Sequence, residues 1–189
     1  WNNMTLSGTS TRGAAQDSSN NNTYISNRLT AIGSDGDGLD LNGGGENNTI
    51  YNNFLNATTT PMGVSPTQPN IFNTTLQSST NIIGAPNLGG NFYAKPTGDG
   101  FSQTCSDADA NGICDSNNTF NGNTIDYLPL SSNFTELACG NLNIANTVYS
   151  LTQNVNSSGT CFTISANNVT LDCAGFMVNY SQSSTGYGI

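Results

Sequence analysis

The densest group of possible metal ligands in the sequence lies at residues 107–115. Counted from the first aspartate, positions 1, 3, 5 and 9 carry the acidic or amide side chains of Asp107, Asp109, Asn111 and Asp115. Gly112 stands at position 6, and Ile113 supplies a main-chain carbonyl at position 7. Oxygen ligands at these positions, with glycine at the sharp turn, form the first part of an EF-hand-like calcium loop. Asn118 stands where the bidentate acid of position 12 is expected. The sequence therefore leaves two alternatives, a Ca²⁺ site and a turn that holds no metal.

The five cysteines offer another way to hold that turn. Cys105 lies just before the loop and Cys114 within it, so a disulfide between them would close the turn with or without metal. We expect a second disulfide from Cys139 to Cys161. Cys173 is then the odd cysteine, which either lies buried as a small apolar residue or pairs with Cys161 instead. Structural disulfides in a chain of this composition indicate an oxidising, extracellular compartment.

The sequence also contains ten acceptor motifs for N-linked glycans, each an asparagine followed two residues later by serine or threonine with no proline between. They begin at Asn3, Asn21, Asn47, Asn56, Asn73, Asn117, Asn133, Asn156, Asn168 and Asn179. In a chain rich in Asn and Thr many such motifs arise by chance, so no single motif is decisive. Ten of them on an exported chain predict heavy N-glycosylation.

Paired carboxylates are the remaining chemistry to consider. Asp35, Asp37 and Asp40 lie close enough in sequence to supply an acid and a base for glycoside cleavage. However, the chain has no histidine, and its three basic residues, Arg12, Arg28 and Lys95, are the only groups that could bind a uronate or abstract a proton. A turn at residues 34–38, or another cation site, accounts better for these acids. We expect that the protein is not an enzyme.

The composition restricts the partners and the fold. The 3 basic and 12 acidic residues give a net charge of −9, and only 8% of the 189 residues are charged. Three basic residues cannot neutralise a row of phosphates, so nucleic acid is excluded as a partner. The sequence has no run of about 18 apolar residues, which predicts no membrane span. The abundance of Asn, Ser, Thr and Gly disfavours helices and favours short strands with frequent corners.

A short pattern recurs along the chain. An Asn, a nearby Thr and a large apolar residue appear at residues 3–6, 22–25, 48–51, 73–76 and 168–171, with offsets of 19, 26 and 25 between the first four copies. Short strands at a period near 24 residues predict an all-β fold, a right-handed parallel β-helix whose coils have about 24 residues and whose stacked corners form asparagine ladders. The alternative is a β-sandwich with Asn-rich loops, which should show cleaner alternation.

Two further segments resemble a known family. Residues 89–93, the Asp- and Gly-rich stretch at 98–115 and the Asp-Tyr-Leu-Pro-Leu ending at 126–130 resemble the closing segment of the NosD-like family of parallel β-helix repeat proteins. Residues 147–152, 159–164 and 168–175 are similar to the first coils of many archaeal surface β-helix proteins. The resemblance implies that residues 1–130 form the C-terminal coils and closing segment of one β-helix, 131–138 a linker and 139–189 the opening coils of a following unit.

This inverted order predicts assembly. We expect a structural subunit or repeat unit of an extracellular, cell-surface filament or layer that joins copies of itself head to tail. Residues 139–189 would lack a core of their own and would find apolar partners near Trp1 to Leu6 of the next copy, since the spacing from Asn168 to a following Asn3 matches the period within the chain. The alternative function is a carbohydrate-binding or polysaccharide-cleaving module, with a polysaccharide as the partner.

Overall fold

A computed structural model of the protein describes residues 2–64, 69–121 and 124–189, without the side chain of residue 121. These residues form a β-solenoid of about seven turns with coils of roughly 25 residues, so the expected all-β parallel β-helix is confirmed. Trp1, which the assembly expectation included, lies outside the described residues. No helix among the described residues has the length and apolar character needed to cross a membrane.

The N-terminal coils contain eight strands. They are β1 (Asn3–Ser7), β2 (Arg12–Asp17), β3 (Thr23–Ile25), β4 (Arg28–Ile32), β5 (Asp37–Gly43), β6 (Thr49–Tyr51), β7 (Phe54–Ala57) and β8 (Thr60–Val64). Every third strand stacks in parallel, which gives the sheets β1-β4-β7, β2-β5-β8 and β3-β6. Asn3 faces Arg28 and Arg28 faces Phe54, so each of these strands lies one coil beyond the strand it covers.

Residues in the left-handed backbone conformation, with positive φ, form the corners between these strands. Asn21 and Asn47 precede the stacked strands β3 and β6, and both have φ near +57°. Ser26 and Asn52, with φ of 57° and 55°, occupy the equivalent corners before β4 and β7. Asparagine tolerates this backbone conformation better than most residues, which explains why it occupies several of these corners.

The closing segment (residues 89–130), with the residues just before it, ends this stack with antiparallel structure. Its elements and their neighbours are β9 (Gln77–Ser78), β10 (Asn87–Leu88), β11 (Phe92–Ala94), α1 (Phe101–Thr104), β12 (Asn111–Ile113), β13 (Asn118–Asn121), β14 (Thr124–Asp126) and β15 (Leu130–Phe134). Strand β11 adds in parallel to β7, whereas β9 with β10, β12 with β15 and β13 with β14 pair antiparallel. The expected linker spans residues 131–138. Its first residues belong to strand β15, which pairs with β12.

The C-terminal coils contain the six remaining strands. They are β16 (Gly140–Leu142), β17 (Val148–Ser150), β18 (Val155–Asn156), β19 (Phe162–Ile164), β20 (Thr170–Asp172) and β21 (Val178–Asn179). Each strand of the second coil stacks in parallel on its counterpart in the first, as β19 on β16, β20 on β17 and β21 on β18. Residues 139–189 therefore form parallel coils, and their role as the opening of a following unit stays a prediction.

Three apolar clusters lie inside the solenoid. The N-terminal coils bury Leu39, Ile50 and Leu55, and the closing segment buries Leu130 with its neighbours. The C-terminal coils bury a cluster of their own, formed by Leu142, Leu151, Val155, Cys161 and Phe162. The expectation that residues 139–189 lack a core is wrong, because two short coils already enclose these side chains.

The structure also explains the irregular spacing of the recurring pattern. The copies at residues 22–25 and 48–51 stack directly as β3 on β6. The copy at 3–6 lies in β1, on a different sheet, which accounts for its shorter offset from the next copy. In the coil that follows β6, Thr49 pairs with Ile71 and not with a residue of the copy at 73–76.

Candidate functional sites

An asparagine ladder runs through the N-terminal coils along one corner. The side-chain amide of Asn2 donates to Oδ1 of Asn27 at 3.0 Å, Asn27 donates to Asn53 at 3.0 Å, and Asn53 donates to Asn91 at 2.9 Å. Each Oδ1 of Asn53 and Asn91 also accepts the main-chain N–H of the preceding ladder residue. The ladder therefore joins four consecutive levels of the solenoid.

Asp126 ends this ladder inside the protein. Its side chain is fully buried, and Oδ2 accepts the main-chain N–H of Asn91 at 2.8 Å and the hydroxyl of Tyr93 at 2.8 Å. Oδ1 accepts the N–H of Leu128 at 3.0 Å. Burial raises the pKa of Asp126 to about 7, although these hydrogen bonds act to lower it. A carboxyl group thus replaces the asparagine that would continue the stack.

Shorter ladders mark other corners. Asn22 donates to Asn48 at 3.2 Å, and Asn48 donates to Asn70 at 2.9 Å. In the C-terminal coils the donor is the later residue, with Asn168 donating to Asn146 at 2.9 Å and Asn179 to Asn156 at 2.8 Å. The expected side-chain ladders are confirmed in both stacks.

The acidic loop brings together three of the expected metal ligands. One carboxylate oxygen from each of Asp107, Asp109 and Asp115 lies within 4.8 Å of the others, so this cluster could hold a metal ion. Asp107 is buried, and its two oxygens accept the N–H groups of Asn111 and Gly112 at 3.0 and 2.9 Å. Burial raises the pKa of Asp107, and the main-chain hydrogen bonds oppose that rise.

A fourth expected ligand, Asn111, is already engaged by hydrogen bonds of the turn. Oδ1 of Asn111 accepts the N–H of Ile113 at 2.8 Å, while its amide nitrogen donates to Asp109 at 2.8 Å. Ile113 lies in β12 opposite Leu130 and packs into the core of the closing segment. Hydrogen bonds within the protein thus hold this turn, and one oxygen of each of the three carboxylates lies close to the others.

Both expected disulfides are present. Cys105 is joined to Cys114 across the acidic loop, with Cα atoms 5.7 Å apart. Cys139 is joined to Cys161 with Cα atoms 4.5 Å apart, one coil apart in the stack. Cys173 is a free, half-buried thiol that packs against the C-terminal core, which is the first of the two alternatives for it.

Most of the ten glycan acceptor asparagines lie at the surface. Seven side chains are exposed and three are half-buried. The exposed ones are Asn3, Asn21, Asn47, Asn117, Asn133, Asn156 and Asn168, and the half-buried ones are Asn56, Asn73 and Asn179. Their positions allow glycans to surround the coils.

The aspartates at residues 35–40 take part in contacts between neighbouring coils. Asp40 is buried and forms an ion pair with Arg12 at 3.0 Å, and its Oδ1 accepts the N–H of Asn42. Asp35 accepts a hydrogen bond from Ser10 on the neighbouring coil. Burial and the nearby Asp40 raise the pKa of Asp37. These contacts connect adjacent coils.

The first and last coils of the described residues each have an outer strand face. The N-terminal edge consists of β1, β2 and β3, and the C-terminal edge consists of β20, β21 and residues 187–189. Met4 and Leu6 on the first edge, and Phe176 and Met177 beside the second, are between 37% and 58% exposed. A hollow of about 550 Å³ opens at the N-terminal edge between Met4, Ala14, Tyr24 and Leu29. Both edges therefore combine apolar side chains with strands that have only one neighbouring strand among the described residues.

A separate groove lies where the closing segment meets the C-terminal coils. Its volume is about 680 Å³, and Leu137, Val148, Tyr149 and Pro86 contribute to its lining. A smaller pocket of about 270 Å³ lies beside Phe101, Phe120 and Lys95. Sequence reasoning identified neither cavity, because their walls come from segments distant in the chain.

The fold defines the class of this protein as a parallel β-helix. Residues 2–98, just over half of the chain, match the family described as periplasmic copper-binding protein (NosD). The chain therefore belongs to this family. The family description and the two disulfides are consistent with a periplasmic or extracellular location. Comparison with curated proteins and with solved structures gives no significant match.

The residues of this chain do not fit the copper site that the family description implies. Protein copper sites use imidazole, thiolate and thioether ligands, and the chain has no histidine. Four of the five cysteines are in disulfides. Met62 is buried in the N-terminal core, whereas Met4 and Met177 are exposed on the first and last coils, so the three thioethers do not converge.

Proposed function

We propose that the protein is a non-catalytic structural subunit of an extracellular, glycosylated filament or surface layer, in which copies join head to tail through their β-helix edges. The observation that carries this proposal is the stacking itself, because parallel coils join strand edge to strand edge in both the N-terminal and the C-terminal part of the chain. Unpaired strand edges with apolar side chains invite pairing with another chain. Because the two edges are different surfaces, such contacts propagate along an axis.

The distribution of charge supports axial contact over lateral contact. Residues 2–30 contain two arginines and one aspartate, and residues 139–189 contain only Asp172. Residues 31–138 contain Lys95 and ten acidic residues, which gives that region the whole net charge of −9. These two terminal segments are thus nearly neutral, with net charges of opposite sign, whereas the acidic middle segments of two copies repel each other.

Glycans and calcium are the finer parts of the proposal. The exposed acceptor asparagines support N-linked glycans, which would hydrate a β surface that carries few charges. The three converging carboxylates of Asp107, Asp109 and Asp115 support Ca²⁺ as the cation, since calcium prefers several oxygen ligands. Calorimetric titration of the disulfide-bonded protein with Ca²⁺ tests the second point. An Asp107→Asn variant, in which the buried ligand loses its charge, should bind at least about tenfold more weakly, and equal heats for both proteins would exclude this site.

Electron microscopy of the purified chain tests the assembly. We expect fibres with a regular axial repeat, which should disappear when an apolar residue of one edge is replaced by a charged one in Met4→Asp. The matched control is Val148→Asp, an exposed apolar position away from both edges. Particles of uniform monomer size at all concentrations would contradict the proposal.

Carbohydrate binding is the second candidate, and the 680 Å³ groove is the observation that favours it. Tyr149 lines the groove together with apolar and hydroxyl side chains, a combination that suits sugar rings. Glycan-array binding that is lost in Tyr149→Ala, with fibres intact, would assign this role. Absence of binding to any polysaccharide would remove it.

A further inference from the structure

We infer that Asn117 is the principal N-glycosylation site of this chain, and that most of the other acceptor asparagines serve the fold instead. This inference rests on the glycan part of the proposed function and names the residue that carries the modification. The attached group is an oligosaccharide, joined covalently through the side-chain amide nitrogen. The ten acceptor asparagines differ in what their side chains already do in the fold.

Attachment of a glycan uses one N–H of the acceptor amide. The side-chain nitrogen forms a bond to C1 of the sugar while the C1–oxygen bond of a glycosyl phosphate donor breaks. The phosphate leaves with the bonding electrons, and the amide gives up one proton. The modified nitrogen keeps a single N–H and gains a bulky substituent. An exposed asparagine whose side-chain amide donates to no other group can therefore be modified without loss to the fold.

Exposure divides the ten acceptor motifs. The asparagine and the hydroxyl residue two positions later are both exposed in six motifs, which begin at Asn3, Asn21, Asn117, Asn133, Asn156 and Asn168. In the other four at least one of the two side chains is half-buried. Among these, Oδ1 of Asn56 is enclosed without a hydrogen-bond partner among the described residues, and the amide of Asn73 donates to the carbonyl of Thr74 at 2.9 Å. These four motifs are less accessible.

Four of the six exposed acceptors already have a structural role. The side-chain amide of Asn133 donates to the carbonyl of Asp107 at 3.0 Å and so connects β15 to the acidic loop. Asn156 and Asn168 belong to the side-chain ladders of the C-terminal coils. Asn21 has a φ of 58° and forms a left-handed corner, where asparagine is favoured for its backbone. Each of these asparagines is therefore explained without a glycan.

Asn117 has none of these roles. Its side chain is exposed and forms no hydrogen bond with any residue in the described part of the chain. It is also absent from the left-handed corners, because its φ is not positive. Asn3 shares the free side chain, but it lines the 550 Å³ hollow at the N-terminal edge, where a glycan would obstruct the proposed head-to-tail contact. Asn117 is thus the acceptor that the fold leaves available.

The local structure presents the whole motif at Asn117 to a glycosyltransferase. The residue lies between Cys114, which is held in the first disulfide, and β13, which pairs with β14. In an extended strand alternate side chains point to the same face, and Asn117 and Thr119 are exposed together. Asn118 and Phe120, which alternate with them, are half-buried and line the 270 Å³ pocket. The motif is therefore accessible in the folded protein.

The position of Asn117 also suits the proposed assembly. The residue lies within the acidic region at 31–138, which carries the net charge that keeps the middle segments of two copies apart. A glycan in this region adds steric hindrance and hydration to that repulsion. It would leave the contacts between stacked coils unobstructed, because the Asn117 side chain takes no part in them.

Glycopeptide mass spectrometry of the protein purified from its natural source tests the inference. After reduction and alkylation, chymotrypsin separates four motifs by cleavage after leucine and aromatic residues. The resulting peptides, at residues 102–120, 131–134, 152–162 and 163–171, contain Asn117, Asn133, Asn156 and Asn168 respectively. We expect the glycan mass on the Asn117 peptide and the unmodified mass for the other three.

Two matched substitutions, produced in the same host, separate modification from folding. Asn117→Gln should remove the glycan mass, and after chemical deglycosylation its thermal midpoint should equal that of the wild-type protein, because the side chain has no partner to lose. Asn133→Gln, at another exposed acceptor, should keep the glycan mass. Its thermal midpoint should fall, because it loses the hydrogen bond to Asp107.

The outcomes distinguish this inference from the proposed function. Higher glycan occupancy at Asn117 than at the other three acceptors supports both. Equal or higher occupancy at any of those three overturns the inference and leaves a glycosylated surface protein in place. A polypeptide that is unmodified at all ten motifs refutes the glycan part of the proposed function, and the inference fails with it.

Discussion

The buried carboxyl group of Asp126 should make the stability of the protein depend on pH. Its pKa is about 7 in the folded protein, because burial disfavours the carboxylate, against a value of 3.8 for an unperturbed aspartate. The folded state therefore binds the proton more tightly than the unfolded state does. The corresponding contribution to stability is complete below pH 3.8 and is lost as the pH rises to about 7.

The magnitude follows from the difference between the two pKa values. About three pKa units correspond to about 4 kcal/mol of stability lost between pH 3.8 and pH 7. Other carboxylates in the chain titrate over the same range, so the effect of Asp126 must be isolated with a variant. Asp126→Asn keeps a side chain of the same shape but has no charge to bury above pH 7.

Urea denaturation of both proteins at several pH values between 4 and 8 measures this contribution. We expect the free energy of unfolding of Asp126→Asn to gain about 2–4 kcal/mol relative to the wild-type protein as the pH rises over that interval. Parallel pH profiles for the two proteins would refute the reasoning. They would mean that the hydrogen bonds from Asn91, Tyr93 and Leu128 offset the cost of burying the charge.

Three other substitutions test the contacts that hold the stack. Asn53→Ala should cost about 2–4 kcal/mol in urea denaturation, because it leaves partners of the buried ladder unpaired. Gly90→Ala should lower the thermal midpoint in circular dichroism, since a Cβ there would overlap the Asp126 carboxylate. Cys161→Ser should cost about 3 kcal/mol by the same urea assay, because it opens the loop that the second disulfide closes. An unchanged midpoint would contradict the corresponding contact.

Much of the fold could be predicted from local sequence. The recurring Asn-Thr-apolar pattern indicates parallel coils because three of its five copies, at residues 22–25, 48–51 and 168–171, combine a left-handed corner with the short strand that follows, as Asn47 and β6 show. The disulfides could be predicted because the cysteines flank one loop or lie one coil apart. The acidic loop brings its aspartates together because the turn between them is short.

The remaining features depend on contacts between distant residues. Asp126 stands in the Asp-Tyr-Leu-Pro-Leu ending, but its place beneath Asn91 follows only from the path of the closing segment. The only signal for this buried role in the sequence is that Asp126 directly precedes Tyr127 at the end of a strand. The separate core of the C-terminal coils was missed because Leu142, Leu151 and Phe162 are spread over two short coils and show no local periodicity.

The position of the second disulfide has a mechanical consequence. Cys139 and Cys161 are separated by about one coil, so their bond fastens two stacked levels covalently. The N-terminal coils, at residues 2–64, contain no cysteine. Main-chain hydrogen bonds, asparagine ladders and side-chain packing hold their neighbouring coils together. A tensile force along the solenoid axis would therefore separate the N-terminal levels first, and the C-terminal coils would behave as the stiffer element under load.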